Sequence, residues 1–293
     1  MNGLLVIDKP GGMTSHDVVS RLRKITGEKS IGHLGTLDPT ATGVLPLLLG
    51  KFTRLAQYFS SAEKCYTGTI RFGFATDTYD SEGEPVGLKV TPALRLQEVR
   101  SAAARFHGEI SQRPPAFSAK KIGGIPAYKL ARAGEAVELK PVTIHISSFE
   151  IADLNGDQAV FALCCSAGGY VRSVAHELGE VLGCGAHLSG LRRTRAGVFD
   201  LDDAHTLDEI SDYVGDLNGL EELCCIHPRC LLPEMPAVSG DYLALGRLRN
   251  GAQANLPEFS EASMVKVFAG QRELVGIAKR IAGTLFQPVV VMG

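Results

Sequence analysis

Two kinds of apolar pattern share the chain: unbroken runs and regular alternations. Residues 3–10, GLLVIDKP, form an unbroken run closed by Pro10 and the Gly11–Gly12 pair, which reads as a short strand entering a turn. In TSHDVVSRLRKITG, Val18, Val19, Leu22 and Ile25 recur at helical spacing, with Ser15 as the expected N-cap and Gly27 as the stop. A Gly-, Thr- and Pro-rich loop then feeds a second apolar run, residues 44–49. YTGTIRFGF alternates, placing Tyr66, Gly68, Ile70, Phe72 and Phe74 on one face of a strand and Thr67, Thr69 and Arg71 on the other. TPALRLQEVRSAAARFHG predicts a second helix, with Thr91 as cap, Pro92 at the first helical position and Gly108 as stop. VTIHISSFEI and AVFALCCSAGG predict adjacent strands around an NGD turn.

Farther on, YVRSVAHELGEVLGCG predicts a third helix, its stripe made of Val171, Val174, Ala175, Leu178, Val181 and Leu182. Tyr170 and Arg172 fall at its start, where backbone N–H groups attract anions. Pro228, Pro233 and Pro236 then mark a linker, followed by the short β-like runs MVKVFAG, ELVGIAKR and TLFQPVVVMG. The pattern predicts a large α+β unit and a small β unit, with no internal repeat.

Composition adds limits. The chain has 293 residues, 45% hydrophobic and 21% charged, a normal globular balance. No apolar run approaches the roughly 18 residues of a membrane span. The N-terminus lacks a basic segment and acquires Asp8 early, so the expected location is cytoplasmic. The seven cysteines are then expected to be mostly reduced core or surface residues. Cys224, Cys225, His227 and Cys230 in CCIHPRC look like metal ligands, but no second ligand pair lies at the usual distance. They are expected to be packed thiols, as is Cys184 near His187, and neither metal nor cofactor is expected.

Net charge is -2, which argues against a polyanionic partner until its distribution is considered. Residues 200–234 hold ten acidic residues and one basic residue, Arg229. The remainder is net positive, and LRRTR (191–195) and RPPAFSAKKIGG (113–124) carry no acid. Local basic patches of this kind favour nucleic acid.

The segment GHLGTLDPTATGVLPLLLG, residues 32–50, holds a lone carboxylate, Asp38, directly before Pro39, which pushes Asp38 towards extended backbone. Gly32, Gly35 and Gly43 permit close approach by another backbone. A carboxylate held this way serves as nucleophile, general base, metal ligand or turn former. The loop has no second carboxylate, which disfavours paired-carboxylate hydrolysis.

That segment resembles the catalytic segment of the TruB family, bacterial tRNA pseudouridine synthases acting on the T-loop uridine at position 55 in tRNA numbering. LLVIDKPGGMTSHDVV, KCYTGTIRFGFATDTYDSEG, RPPAFSAKKIGGIPAYKLAR and CSAGGYVRSVAHELGEVLGCGAHLSGLRRTRAG resemble further motifs of that family, in the same order, over about the first two hundred residues. The resemblance implies an α+β pseudouridine-synthase fold with a mixed, mainly antiparallel sheet flanked by helices. It divides the chain into a catalytic domain, residues 1–230, with an RNA-contacting insert at about 110–140, and a PUA-like domain, residues 231–293. It makes Asp38 the catalytic aspartate. His33 would fill the space left by the flipped uridine, Tyr66 would stack on the base, and Arg172 would pair with Asp38. Tyr170 would sit beside Arg172, Leu191 would line the base pocket, and Lys9 and Pro10 would support the Asp38 loop. Lys120, Lys121, Arg192 and Arg193 would support the site or contact phosphate. The implied partner is the tRNA T-arm, engaged by a monomer with no obligate protein partner.

Two other readings keep the same residues. A tRNA-folding chaperone would bind and remodel tRNA with Asp38 dispensable. A guide-dependent subunit of the dyskerin type would need protein partners, for which no extra docking segment is evident.

Overall fold

Both apolar runs become strands because both of their faces are buried, as in sheets covered on two sides. The computed structural model describes residues 1–292 except Ala119, Ala136 and Glu138, with the backbone alone at Lys121, Arg132 and Leu223. The elements that build the larger sheet run β1 (Gly3–Lys9), α1 (Ser15–Thr26), β2 (Ile31–His33), β3 (Thr42–Leu49), β4 (Lys64–Phe72), α2 (Leu96–Ala103), β5 (Gly108–Gln112), β6 (Val142–Asn155), β7 (Gln158–Cys165), α3 (Val171–Val181), β8 (Ala186–Ala196) and β9 (Ala204–His205). Strand order is β9-β1-β3-β8-β4-β7-β6-β5, with β2 beside β3. The β1–β9 and β3–β8 pairs are parallel and the other pairs in this order are antiparallel.

On one face, Leu5, Ile7, Leu45 and Leu47 pack with Val18 and Leu22 of α1, Val99 of α2 and Leu178 of α3. On the other face, Leu4, Val6, Val44 and Leu48 pack with Phe52 and Phe59, and with Phe268, Ile277 and Val290 from the C-terminal part. Strand β4 buries Tyr66, Ile70 and Phe72 while Thr67 and Arg71 stay exposed, the alternation read from sequence. The C-terminal part contributes β10 (Ala237–Ser239), α4 (Tyr242–Arg249), β11 (Ala254–Asn255), β12 (Met264–Ala269), β13 (Glu273–Ala282) and β14 (Leu285–Val291), in a second sheet ordered β10-β12-β13-β14-β11. No helix among the described residues is long and apolar enough to cross a membrane.

Four local expectations change. Thr14, not Ser15, caps α1: its Oγ accepts from Asp17 N while Asp17 accepts from Thr14 N. Helix α2 starts at Leu96, so Thr91 and Pro92 lie in the preceding loop. Val181 ends α3 with 43% exposure rather than joining its buried stripe. The 228–236 segment is packed rather than free: Leu231 and Leu232 are buried between the sheets, and Lys266 Nζ donates to Arg229 O and Leu231 O. Cys65 and Cys164 lie directly opposite across β4 and β7, with Cα atoms 4.1 Å apart, and form a disulfide that the sequence did not single out, while the other five cysteines are free.

Candidate active site

Strand β8 runs through the middle of the sheet, between β3 and β4. Its register sets Leu191 opposite Gly68, Arg192 opposite Thr67 and Arg193 opposite Tyr66, while Arg193 also meets Gly43 of β3. Gly43 sits at φ 102°, and a Cβ there would lie 2.2 Å from Arg193 O, so the close approach demands glycine. Of the other loop glycines, Gly32 has no neighbour closer than 4.0 Å to such a Cβ.

The loop from β2 to β3 is pinned from three sides. Ser15, freed from capping, accepts from Leu37 N at 2.9 Å and donates to Leu37 O at 3.2 Å. Lys9, 0% exposed, donates from Nζ to Pro10 O, Met13 O and Pro39 O at 2.8, 2.6 and 3.1 Å. Burial pushes its ammonium down to about 8, with Asp38 pulling it back. Arg193, 1% exposed, donates to Val44 O and Gly35 O. The result is a loop whose backbone is fixed on both sides of Asp38.

Asp38 itself stands in a shallow cleft lined also by Asp80, Arg172, Gly190 and Leu191. Its side chain is 37% exposed and that of Arg172 is 7% exposed. Arg172 Nε lies 2.9 Å from Asp38 Oδ2 and Nη2 donates to Oδ1 at 3.1 Å, a two-pronged grip. The guanidinium is held in turn: Nη1 donates to Thr78 O and lies 3.4 Å from Asp80 Oδ2, and Nη2 donates to Phe117 O. Burial raises the Asp38 carboxyl above the usual carboxylate range; Arg172 opposes the rise and Asp80 adds to it. A partly exposed carboxylate fixed by a buried arginine is equipped to react with a ligand entering the cleft.

Residues 23–171 match the family described as "TruB family pseudouridylate synthase (N terminal domain)", and residues 172–233 match "tRNA pseudouridylate synthase B C-terminal domain". The chain is 43% identical over 295 residues to tRNA pseudouridine synthase B of Solibacter usitatus, covering all of both chains. The chain belongs to the TruB family. It is also 46% identical to tRNA pseudouridine synthase B of Geobacter sulfurreducens, over 97% of this chain and 95% of that one. The fold is similar to a chain solved in a Cbf5-Nop10-Gar1 complex, with TM-score 0.70, 26% identity, and coverage of 99% of this chain and 85% of that one. As a TruB-family pseudouridine synthase the chain is an isomerase.

Of the residues singled out in the TruB motifs, Asp38, Arg172 and Leu191 line this cleft, and Tyr66, His33, Tyr170, Lys9 and Pro10 are not among its lining residues. Tyr66 is buried on β4, and burial pushes its phenol up to about 12. His33 ends β2, with its Nδ1 buried and without a hydrogen-bond partner among the described residues, and burial and Arg193 hold its imidazole below the ordinary value. Tyr170 is the N-cap of α3, where buried Gln112 accepts from its N at 2.8 Å and donates to its O at 3.0 Å. Leu191 lines the cleft while packing on the main core. Pro10, exposed, contributes its carbonyl to Lys9.

The LRRTR arginines are engaged within the protein. Arg192 makes two bonds to Asp8, at 3.0 and 2.7 Å, Arg193 is buried, and Arg195 pairs with Glu63 at 2.7 Å. Arg193 therefore occupies a supporting position rather than a phosphate-facing one. Lys120 is half-buried in the segment between β5 and β6, and the Lys121 side chain lies outside the described residues. Among the described residues, the ligand atoms close enough to share a metal belong to Glu63, Cys65 and Cys164, two of them joined as the disulfide. The CCIHPRC side chains form no such group. Sequence reasoning missed Ser15 as a loop anchor, Gln112 and Asp80. For Ser15 the signal was present: Thr14 has an acid three residues on, the capping-box spacing.

Proposed function

We propose that this chain converts uridine to pseudouridine in the T-loop of tRNA, at position 55, acting as a monomer on an extruded nucleotide. The observation that carries the reading is the two-pronged Arg172–Asp38 contact in a cleft bordered by Leu191. The relatives named tRNA pseudouridine synthase B support tRNA as the substrate class.

A uridine within a folded loop leaves its stack before its glycosidic carbon is reachable. Asp38, ionised beside Arg172, acts on the ribose as nucleophile or as base, and the N1–C1′ bond breaks. The base turns in the cleft, C5 bonds to C1′, and the C5 proton departs while N1 gains one. Tyr66 and Leu191 border the base during the turn, and His33 fills the place it vacates. No oxidant or group donor enters the balance.

The test is position-resolved pseudouridine mapping after incubating purified protein with unmodified tRNA or a T-arm stem-loop in EDTA. Conversion of the one T-loop uridine is expected in both. Conversion elsewhere overturns the site assignment, and none in either RNA overturns the stand-alone reading.

A further inference from the structure

Arg172 holds Asp38, yet part of what holds Arg172 is a tight polar turn, and that turn contains an anomaly. Tyr79 has φ 65°, a left-handed conformation that, among the described residues, only one other non-glycine shares. A bulky side chain there is strained, and glycine or asparagine would make the same turn more easily. The turn is otherwise closed by short hydrogen bonds: Thr76 Oγ to Asp80 O and Thr78 Oγ to Asp80 Oδ1, both 2.6 Å. Tyr79 O accepts from Leu188 N at 3.0 Å, fastening the turn to β8. Its two neighbours in sequence both touch Arg172 Nη1, Thr78 through its carbonyl and Asp80 through its carboxylate.

The Tyr79 ring lies flat on His176, with centroids 3.8 Å apart and planes 11° apart. His176 is four residues after Arg172 on α3, one turn along the same side of the helix. Its Nδ1 is buried with no hydrogen-bond partner among the described residues, its Nε2 is 3.6 Å from Glu180, and its ring face is taken by Tyr79. The stack therefore ties the Arg172-binding turn to the helix that carries Arg172.

We propose that Tyr79 and His176 form a positioning pair that fixes the Thr78–Asp80 turn against α3 and so aims Arg172 at Asp38. The strain at Tyr79 is retained because a glycine would supply the turn but not the stack. The inference rests on Asp38 as the reacting carboxylate.

The test compares Tyr79→Gly, Tyr79→Phe and His176→Ala with the parent chain. Glycine relieves the strained φ, so the fold is preserved while the stack is lost. Expected for Tyr79→Gly is a roughly ten-fold fall in kcat on the T-arm stem-loop, with KM within two-fold and no lowering of the melting temperature. Tyr79→Phe, which keeps the stack, stays near the parent rate. His176→Ala matches Tyr79→Gly, and the double variant loses nothing further. A second readout needs no turnover: the Asp38 carboxyl, followed by carbon NMR, titrates at higher pH in Tyr79→Gly, because a loosened Arg172 favours the anion less. Parent-like kcat and titration in Tyr79→Gly overturn the proposal, as does a Tyr79→Phe as impaired as Tyr79→Gly. An Asp38→Asn control that keeps full activity sinks the catalytic reading, while the titration still decides the positioning claim.

Discussion

Replacing Arg172 by Lys removes the planar fork that reaches both oxygens of Asp38 and, from its other side, Thr78 O, Phe117 O and Asp80. One ammonium cannot satisfy all of them. Arg172→Lys is expected to lower kcat by about 100-fold, close to 2.7 kcal/mol of transition-state stabilisation. The sign of its pH effect follows from the balance at Asp38: burial raises the carboxyl and Arg172 opposes that rise. With the arginine gone the proton is held to higher pH, so the acid limb of the kcat–pH profile moves upward. A limb that stays in place contradicts this assignment. Lys9→Met leaves the carbonyls of Pro10, Met13 and Pro39 without their buried donor. The expected loss is about 3 kcal/mol in urea unfolding. The Asp38–Arg172 contact and the Lys9 anchor were expected from the resemblance of their motifs to the TruB family, because the residues alone left Asp38 several readings. Asp80 was not, because an aspartate in TDTYDSEG is already explained as a turn former.

Elements were legible wherever burial follows one rule along the whole segment. The alternation of β4 and the unbroken runs of β1 and β3 reported one-face and two-face burial respectively. Element ends were harder, because several polar residues compete to cap. Thr91–Pro92 resembles a helix start, yet Glu98 reaches back to Arg95 N at 3.0 Å and α2 begins there. The parallel β3–β8 seam offers a direct test of how the sheet supports the site. Gly43→Ala forces a side chain into the Arg193 backbone at a positive φ. It is expected to cost about 3 kcal/mol or more, read by urea unfolding, and to lower the rate of the folded fraction by moving Arg193 and the Asp38 loop together. Parent-like stability in Gly43→Ala shows that the seam accommodates a Cβ and does not set the loop.

At the scale of the whole molecule, the C-terminal sheet and the larger one share an apolar cluster, with Leu4, Val6 and Phe59 meeting Phe268, Ile277 and Val290. Sequence separated the two sheets, but Pro228, Pro233 and Pro236 concealed how closely the segment between them packs. Charge was similarly half legible: LRRTR is basic in sequence, but Asp8 and Glu63 answer Arg192 and Arg195 in space. The basic stretch 113–121 is then the source we propose for the phosphate contacts. T-arm affinity is expected to fall with salt, and Lys120→Glu to flatten the log–log slope by about 1, while Arg192→Ala changes it less; binding isotherms across a potassium chloride series check this. The reverse order would place the RNA on the β8 side. The central claim is that Asp38 does chemistry rather than shaping its loop. It is tested most directly by single-turnover conversion of a T-arm stem-loop by Asp38→Asn beside the parent chain, with binding measured on the same samples. The account predicts conversion slowed by at least roughly a thousand-fold with affinity within about three-fold. Conversion within about ten-fold of the parent would contradict it.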